Sequence, residues 1–230
     1  MGEDFSRVLI MVDGDFPSLV AAVNAKEGMV ALGAKSGEAV LWPAVGAEDA
    51  SRLEACLRIS ERVGLGLVER RSWSEGPSHG VWSSPSRLLL DACTDAANLG
   101  RSEVVWPAHF VAKGGAAGAE RGVNLELATR AADRALLVSR LMALDAGVHG
   151  VPSLRVEMPF VDLNDREVAD LAVDLGVSRA MVECCWWWSE AGPEGEVLRE
   201  RWAAALKAAG FATGAESGFG PGSGTGNLVR

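Results

Sequence analysis

Several things this chain lacks narrow what it can be. No apolar run approaches the length of a bilayer span, and the acidic, polar opening Met1-Gly2-Glu3-Asp4 starts no signal-peptide pattern. The expectation is a cytoplasmic protein with no membrane partner. No basic run occurs either: 22 Lys and Arg stand against 31 Asp and Glu, a net charge of −9, so a phosphate backbone would be repelled and direct nucleic-acid binding is not expected. The four cysteines are few for the length. Cys56 and Cys93 sit singly, and Cys184 and Cys185 are adjacent, which suits neither a secreted disulfide framework nor a zinc site. They read as reduced thiols, mostly in the core, and no metal site is assigned.

What is present is the pattern of an α/β domain. The 230 residues are 48% hydrophobic and 23% charged, enough to bury a substantial core without disulfides. Strand-like runs at 8–12, 29–32, 65–69, 103–106 and 154–158 alternate with helical patterns at 18–25, 48–63, 124–144 and a segment opening at Ser84-Pro85, where Ser caps and Pro fits the first helical position. The order predicts a doubly wound parallel sheet, one domain over residues 1–211. Such a sheet takes ligands outside the carboxyl ends of its strands, so the loops after Val12, Leu32, Trp106 and Met158 are the expected walls of a site. Beyond Phe211 the chain turns to Gly, Ser, Ala and Pro, and residues 212–230 are expected to form a disordered tail.

One stretch is unusually specific. Asn164 is a good helix N-cap, Glu167 stands three residues on as in a capping box, and Leu163 and Val168 occupy the positions of a hydrophobic staple. Val168, Leu171, Ala172 and Leu175 then recur on one helical face, and Gly176 suits the left-handed residue past the last turn. Preceded by Arg155-Val156-Glu157 and Met158-Pro159-Phe160-Val161-Asp162-Leu163, and ending Leu175-Gly176-Val177, the segment resembles the C-terminal half of the 7-cyano-7-deazaguanine synthases. Their run P-L-I-D-L-[ST]-K-A-E-[IV] leads into a helix ending L-G-V. The resemblance extends over about residues 7–210. It includes Ser84 to Leu90 against the family's P-G-R-N-L-L-F helix, and Leu99 to Trp106 against the strand after its L-G-A-E. It implies an adenine nucleotide alpha hydrolase-like fold of the PP-loop type, ATP and magnesium as cofactors, a homodimer, and conversion of a deazapurine carboxylate through an amide to a nitrile.

The residues that would carry that chemistry are altered. Where the family holds S-G-G-x-D-S, whose glycines and helix N-terminus grip pyrophosphate, this chain has Asp13-Gly14-Asp15-Phe16-Pro17-Ser18. Gly14 and Ser18 match the motif, Asp13 and Asp15 replace a Ser and a Gly, and Pro17 replaces the acid. Asp13, Gly14, Asp15 and Ser18 are the candidate nucleotide-binding residues; read without the resemblance, the two aspartates make a solvated turn with Asp caps. Two charges about 4 Å apart repel by about 4 kcal/mol at an effective dielectric near 20, so Asp15 beside polyphosphate works against ATP. Arg87 matches the motif arginine and is a candidate to meet an anion, or else a surface arginine of its helix. His109, just past a strand end, is the candidate substrate contact, or else a loop residue making one hydrogen bond. Where the family forms its substrate pocket with S-G-Y-P-D-C-R, this chain runs from Ala112 to Gly122 without acidic-aromatic equivalents. Gly28 to Ser36 misses the pattern of a Walker loop by one residue and reads as a strand entering a loop.

The family ends in a zinc module beginning W-S-C-Y. Glu183-Cys184-Cys185-Trp186 matches its opening, but no Cys or His follows Cys185, so tetrahedral closure from this segment is impossible and the zinc site is expected to be lost. A helix is expected over residues 196–209. Trp186, Trp187 and Trp188 cannot all face one core: either at least one meets a partner, a lid or a second subunit, or the run plugs the place of the zinc. The leading expectation is a divergent, catalytically impaired 7-cyano-7-deazaguanine synthase-like protein binding a nucleotide or purine-like ligand, with no catalytic residue assigned. The alternatives are an active ATP-dependent ligase forming the nitrile with a rebuilt phosphate loop, and a non-catalytic interaction protein.

Overall fold

The computed structural model describes residues 7–31, 33, 39–46, 49–69, 84–112, 122–149, 153–190 and 192–211. In chain order the elements are β1 (Val8–Val12), α1 (Phe16–Ala31), β2 (Ala39–Pro43), α2 (Ala50–Val63), β3 (Gly66–Leu67), α3 (Pro85–Asn98), β4 (Glu103–Val105), α4 (Leu125–His149), β5 (Arg155–Glu157), α5 (Asp165–Asp174), α6 (Arg179–Val182), α7 (Trp186–Ser189) and α8 (Pro193–Ala208). The strands form one sheet in the order β3-β2-β1-β4-β5, every neighbouring pair parallel. The chain winds outward from β1 through β2 to β3, then returns to the other side of β1 as β4. The loops after β1 and β4 therefore part in opposite directions, which is the switch point where such sheets take ligands.

Alternation along β1 sorts the core into two layers. Ile10 and Val12 face α1, α2, α5 and α8, whereas Leu9 and Met11 face α3 and α4 together with Trp42 and Val104. Helices thus cover both faces of the sheet, as the βα alternation predicts. Trp42 is buried in the second layer and donates its indole N–H to Asp95 on α3 at 2.8 Å, which satisfies its one polar atom.

The predicted strand at 29–32 is wrong. α1 begins two residues before the expected Ser18 and continues to Ala31, and the second strand is Ala39–Pro43. Four apolar residues cannot distinguish helix from strand by periodicity alone. Here Met29 turns into the core while Val30 is 63% exposed, an arrangement the end of a packed helix accommodates. The Walker-like segment is correspondingly helical from Gly28 to Ala31, while the expected strand end at Leu32 lies outside the described residues; the loop after β2 stands at the carboxyl edge of the sheet instead. α4 runs five residues past its expected end at Leu144, and α8 starts three residues before Glu196. The expectation for residues 212–230 lies outside the described residues. No helix among the described residues is long and apolar enough to cross a membrane.

The capping box forms as read. Asn164 Oδ1 accepts from the Glu167 N–H at 3.0 Å, Glu167 Oε2 accepts from the Asn164 N–H at 2.7 Å, and Gly176 takes a φ of 68° beyond the helix. Asn164→Ala removes one side of this exchange and should lower unfolding free energy by about 1 kcal/mol, read from urea melts.

Candidate functional site

The loop after β1 closes on itself. Asp13 Oδ1 accepts from the Asp15 N–H at 3.1 Å and from the Ser18 hydroxyl at 2.6 Å, while the Asp13 N–H donates to Ser18 Oγ at 3.1 Å. Asp15 Oδ1 accepts from the Phe16 N–H, the first of α1, at 2.7 Å and from the Trp187 indole N–H at 2.7 Å. The Asp15 and Phe16 N–H groups and the Ser18 hydroxyl are donors that an anion at a helix N-terminus would use, and each already serves a carboxylate of the loop. Gly14 between them has a φ of 79°, and a Cβ there would lie 2.9 Å from both Ala55 Cβ and the Arg52 carbonyl of α2. Glycine is required twice, for the left-handed backbone and for the close approach.

The C-terminal segment is fastened over this loop. The Trp186 N–H donates to the Gly14 carbonyl at 2.9 Å, and the Arg52 guanidinium lies 4.5 Å over the Trp186 ring. Trp186 and Trp187 are 5% and 0% exposed, leaving Trp188 the only partly exposed member of the run. Of the three tryptophans, Trp186 and Trp187 are enclosed by the chain's own core and Trp188 keeps part of its surface open. Cys185 packs directly beside them, and burial together with the charges of Asp15, Cys184 and Asp13 pushes its thiol well above the ordinary range, so it stays protonated.

Behind the loop stands a cluster whose only member marked by sequence pattern is His109. Arg201 of α8 grips Asp165, the first residue of α5, through both carboxylate oxygens, with Nε to Oδ2 at 2.8 Å. Its Nη2 also approaches His109 Nδ1 at 3.2 Å. Arg can only donate, so Nδ1 accepts and the proton sits on Nε2, which faces Asp165 Oδ1 at 3.6 Å. Burial, with a smaller contribution from Arg201, holds the His109 pKa below its usual value against the opposing pull of Asp165, keeping the ring neutral. Trp202 joins the two groups, its ring 4.6 Å from Phe16 and 5.7 Å from His109 between centroids. The indole N–H groups of Trp186 and Trp202 are buried and find no acceptor among the described residues.

The tertiary structure therefore brings Asp13, Gly14, Asp15 and Ser18 together with Trp187, and His109 together with Asp165, Arg201 and Trp202. Arg87 stands on α3, 64% exposed, its guanidinium 3.9 Å from Asp91 one turn on. Asp15 is not the solvated cap that its turn suggested: it keeps some accessible surface, but enclosure by protein and the charge of Asp13 raise its carboxyl from the usual 3.8 to about 6, against the pull of Phe16, Arg201 and Trp187. Asp165, Arg201 and Trp202 were missed because their partners lie far away in sequence.

No family model matches this chain, and no curated protein does.

Two outcomes follow for the loop. A carboxyl whose folded pKa is raised favours the fold while protonated, so Asp15 contributes most below about pH 4, and that contribution is lost as pH rises through about 6. Asp15→Asn keeps an oxygen for Trp187 and Phe16 without the charge. It should raise stability at pH 7.5 by about 1–2 kcal/mol and have a smaller effect at pH 4.5, measured by denaturant melts at the two values. Gly14→Ala should lower stability by about 2 kcal/mol or more, through overpacking against α2 and a strained φ, read as a fall in midpoint.

Proposed function

We propose that this chain is a divergent 7-cyano-7-deazaguanine synthase-like protein that has lost ATP-dependent ligation and binds a purine-like base or nucleoside. The family link rests on the residue resemblance in the capped α5 segment and in the α3-β4 segment. The loss of ATP use rests on one observation: the Asp15 and Phe16 N–H groups and the Ser18 hydroxyl donate to the carboxylates of Asp13 and Asp15. Those carboxylates stand where phosphate oxygens would otherwise be received, and a triphosphate would have to displace them while meeting their charge. This weighs against the reading as an active ligase with a rebuilt phosphate loop.

What speaks for a ligand is behind the loop. Among the described residues, two buried indole N–H groups have no acceptor: that of Trp186, bound through its backbone to the loop, and that of Trp202, in ring contact with Phe16. A purine-like base offers ring and carbonyl acceptors and an aromatic face without the charge that the loop opposes. On this reading His109, Asp165 and Arg201 position Trp202 and α8 rather than carry out a reaction.

Thermal melts test both halves. ATP with magnesium at millimolar concentration should leave the midpoint unchanged, whereas a deazaguanine-type base or its nucleoside should raise it; a ligand at 100 times its Kd stabilises by about 2.7 kcal/mol. Asp13→Ser combined with Asp15→Gly frees the loop donors and removes both charges, and should create measurable ATP binding by calorimetry. Tight ATP binding by the unaltered chain would overturn the loss of ATP use. Silence with every base and nucleoside would overturn the ligand.

A further inference from the structure

The segment from Cys184 to Glu190 lies over the loop at the carboxyl end of β1 and is held there unevenly. Arginines grip its two ends: Arg58 Nη2 donates to the Cys184 carbonyl at 3.4 Å, and Arg199 donates to the carbonyls of Trp188 and Glu190 at 2.9 and 3.2 Å. Its middle is the single turn α7, which has no side-chain cap. α7 is bonded to the loop after β1 by the Trp186 N–H on the Gly14 carbonyl and the Trp187 indole on Asp15. Trp186 also keeps its own indole N–H buried with no acceptor among the described residues, and moving outward would give that group a bond to water. A short element with fixed ends and an unsatisfied donor is of the kind that opens without the rest of the fold.

We infer that α7 is a proton-operated lid over the switch point, closed while Asp15 carries a proton and released as that proton leaves. The closed lid seats Trp187, itself fully buried, on an Asp15 oxygen, so an ionised Asp15 is shut away from water and beside Asp13. The Phe16 N–H, Arg201 and the Trp187 indole favour the ion but do not offset that enclosure, and the carboxyl titrates at about 6. Lifting α7 admits water, and the affinity of Asp15 for its proton falls towards that of an ordinary carboxyl at 3.8. Closing therefore takes up a proton: the lid is favoured most below about pH 4 and loses ground as pH rises through about 6. Two charged groups act directly on Asp15, Asp13 in the loop and Arg201 from α8. Around them, α2 brings Arg52, engaged with Trp186, Asp49 and Glu194, and Cys56, whose thiol burial keeps protonated. Cys185, ahead of α7, is protonated for the same reason, and the neutral His109 meets Arg201 and Asp165.

That the lid gates a ligand rests on the base-binding reading; that it opens with pH does not. Hydrogen exchange on the full chain, followed on residues 184–190 and corrected for intrinsic rates, should show protection falling about tenfold between pH 5 and pH 7.5. At pH 7.5 these amides should be less protected than those of β1 and β2 and insensitive to low urea, because α7 opens by itself. Asp15→Asn should keep protection high at both pH values. Asp13→Asn should move the fall to lower pH by removing the like charge. Exchange of residues 184–190 only together with β1 and β2 would overturn the lid, and a fall that persists in Asp15→Asn would overturn its control by Asp15. The association rate of 7-deazaguanine, read by stopped-flow tryptophan fluorescence, should rise over the same pH interval in the native chain and stay flat in Asp15→Asn. A rate that does not follow the lid overturns the gating. No binding of the base overturns the ligand reading and the gating with it, while the exchange result decides the lid by itself.

Discussion

The Asp15 carboxylate is the constraint around which the carboxyl edge of this sheet is organised. It sits at the start of α1, next to a second acid, and takes the first N–H of the helix and the indole N–H of Trp187 on the same oxygen. Charge at a helix N-terminus is favourable, whereas enclosure and Asp13 disfavour it, and the balance lifts its pKa to about 6. The remaining contacts follow from holding that group in place. Gly14 must pass close under α2, the backbone of Trp186 must reach Gly14, and Trp187 must be fully enclosed for its N–H to serve a carboxylate rather than water.

The same arrangement explains how a loop of this shape can exist without phosphate. A strand, tight turn and helix start present several N–H groups to one point, and an empty point of that kind is costly if buried. In this chain the acids fill it from within. Asp13 takes the N–H of Asp15 and the Ser18 hydroxyl, so these donors are met from within the loop. The aromatic C-terminal segment then lies over this loop, joined to it through the Trp186 backbone N–H and the Trp187 indole. Burial keeps Cys185 protonated there, and packing of Trp186 and Trp187 fastens the segment.

Much of the framework was legible because it is written in local chemistry. β1 shows as five apolar residues before a turn, α5 through its capping box and αL glycine, and α3 through Ser84-Pro85. The failure at 29–32 has the opposite origin. Four apolar residues carry no periodicity, and only the packing of Met29 against the core made them the end of a helix. At the site, Asp13, Gly14, Asp15 and Ser18 could be picked out as a group because they are neighbours in sequence. Nothing local paired Asp15 with Trp187, 172 positions away, or His109 with Arg201, 92 positions away.

The sequence by itself determined the alternation of strands and helices, the direction of the sheet and the identity of the loop at its edge, since each depends on hydrophobic period and turn chemistry within a few residues. Tertiary structure alone decided what that loop is joined to and which charges are strained. Whether Asp15 behaves as a solvated cap or an enclosed acid, and whether a tryptophan run faces a partner or its own core, depends on desolvation by elements brought together from distant parts of the chain. Desolvation is a property of the assembled volume that no local pattern encodes.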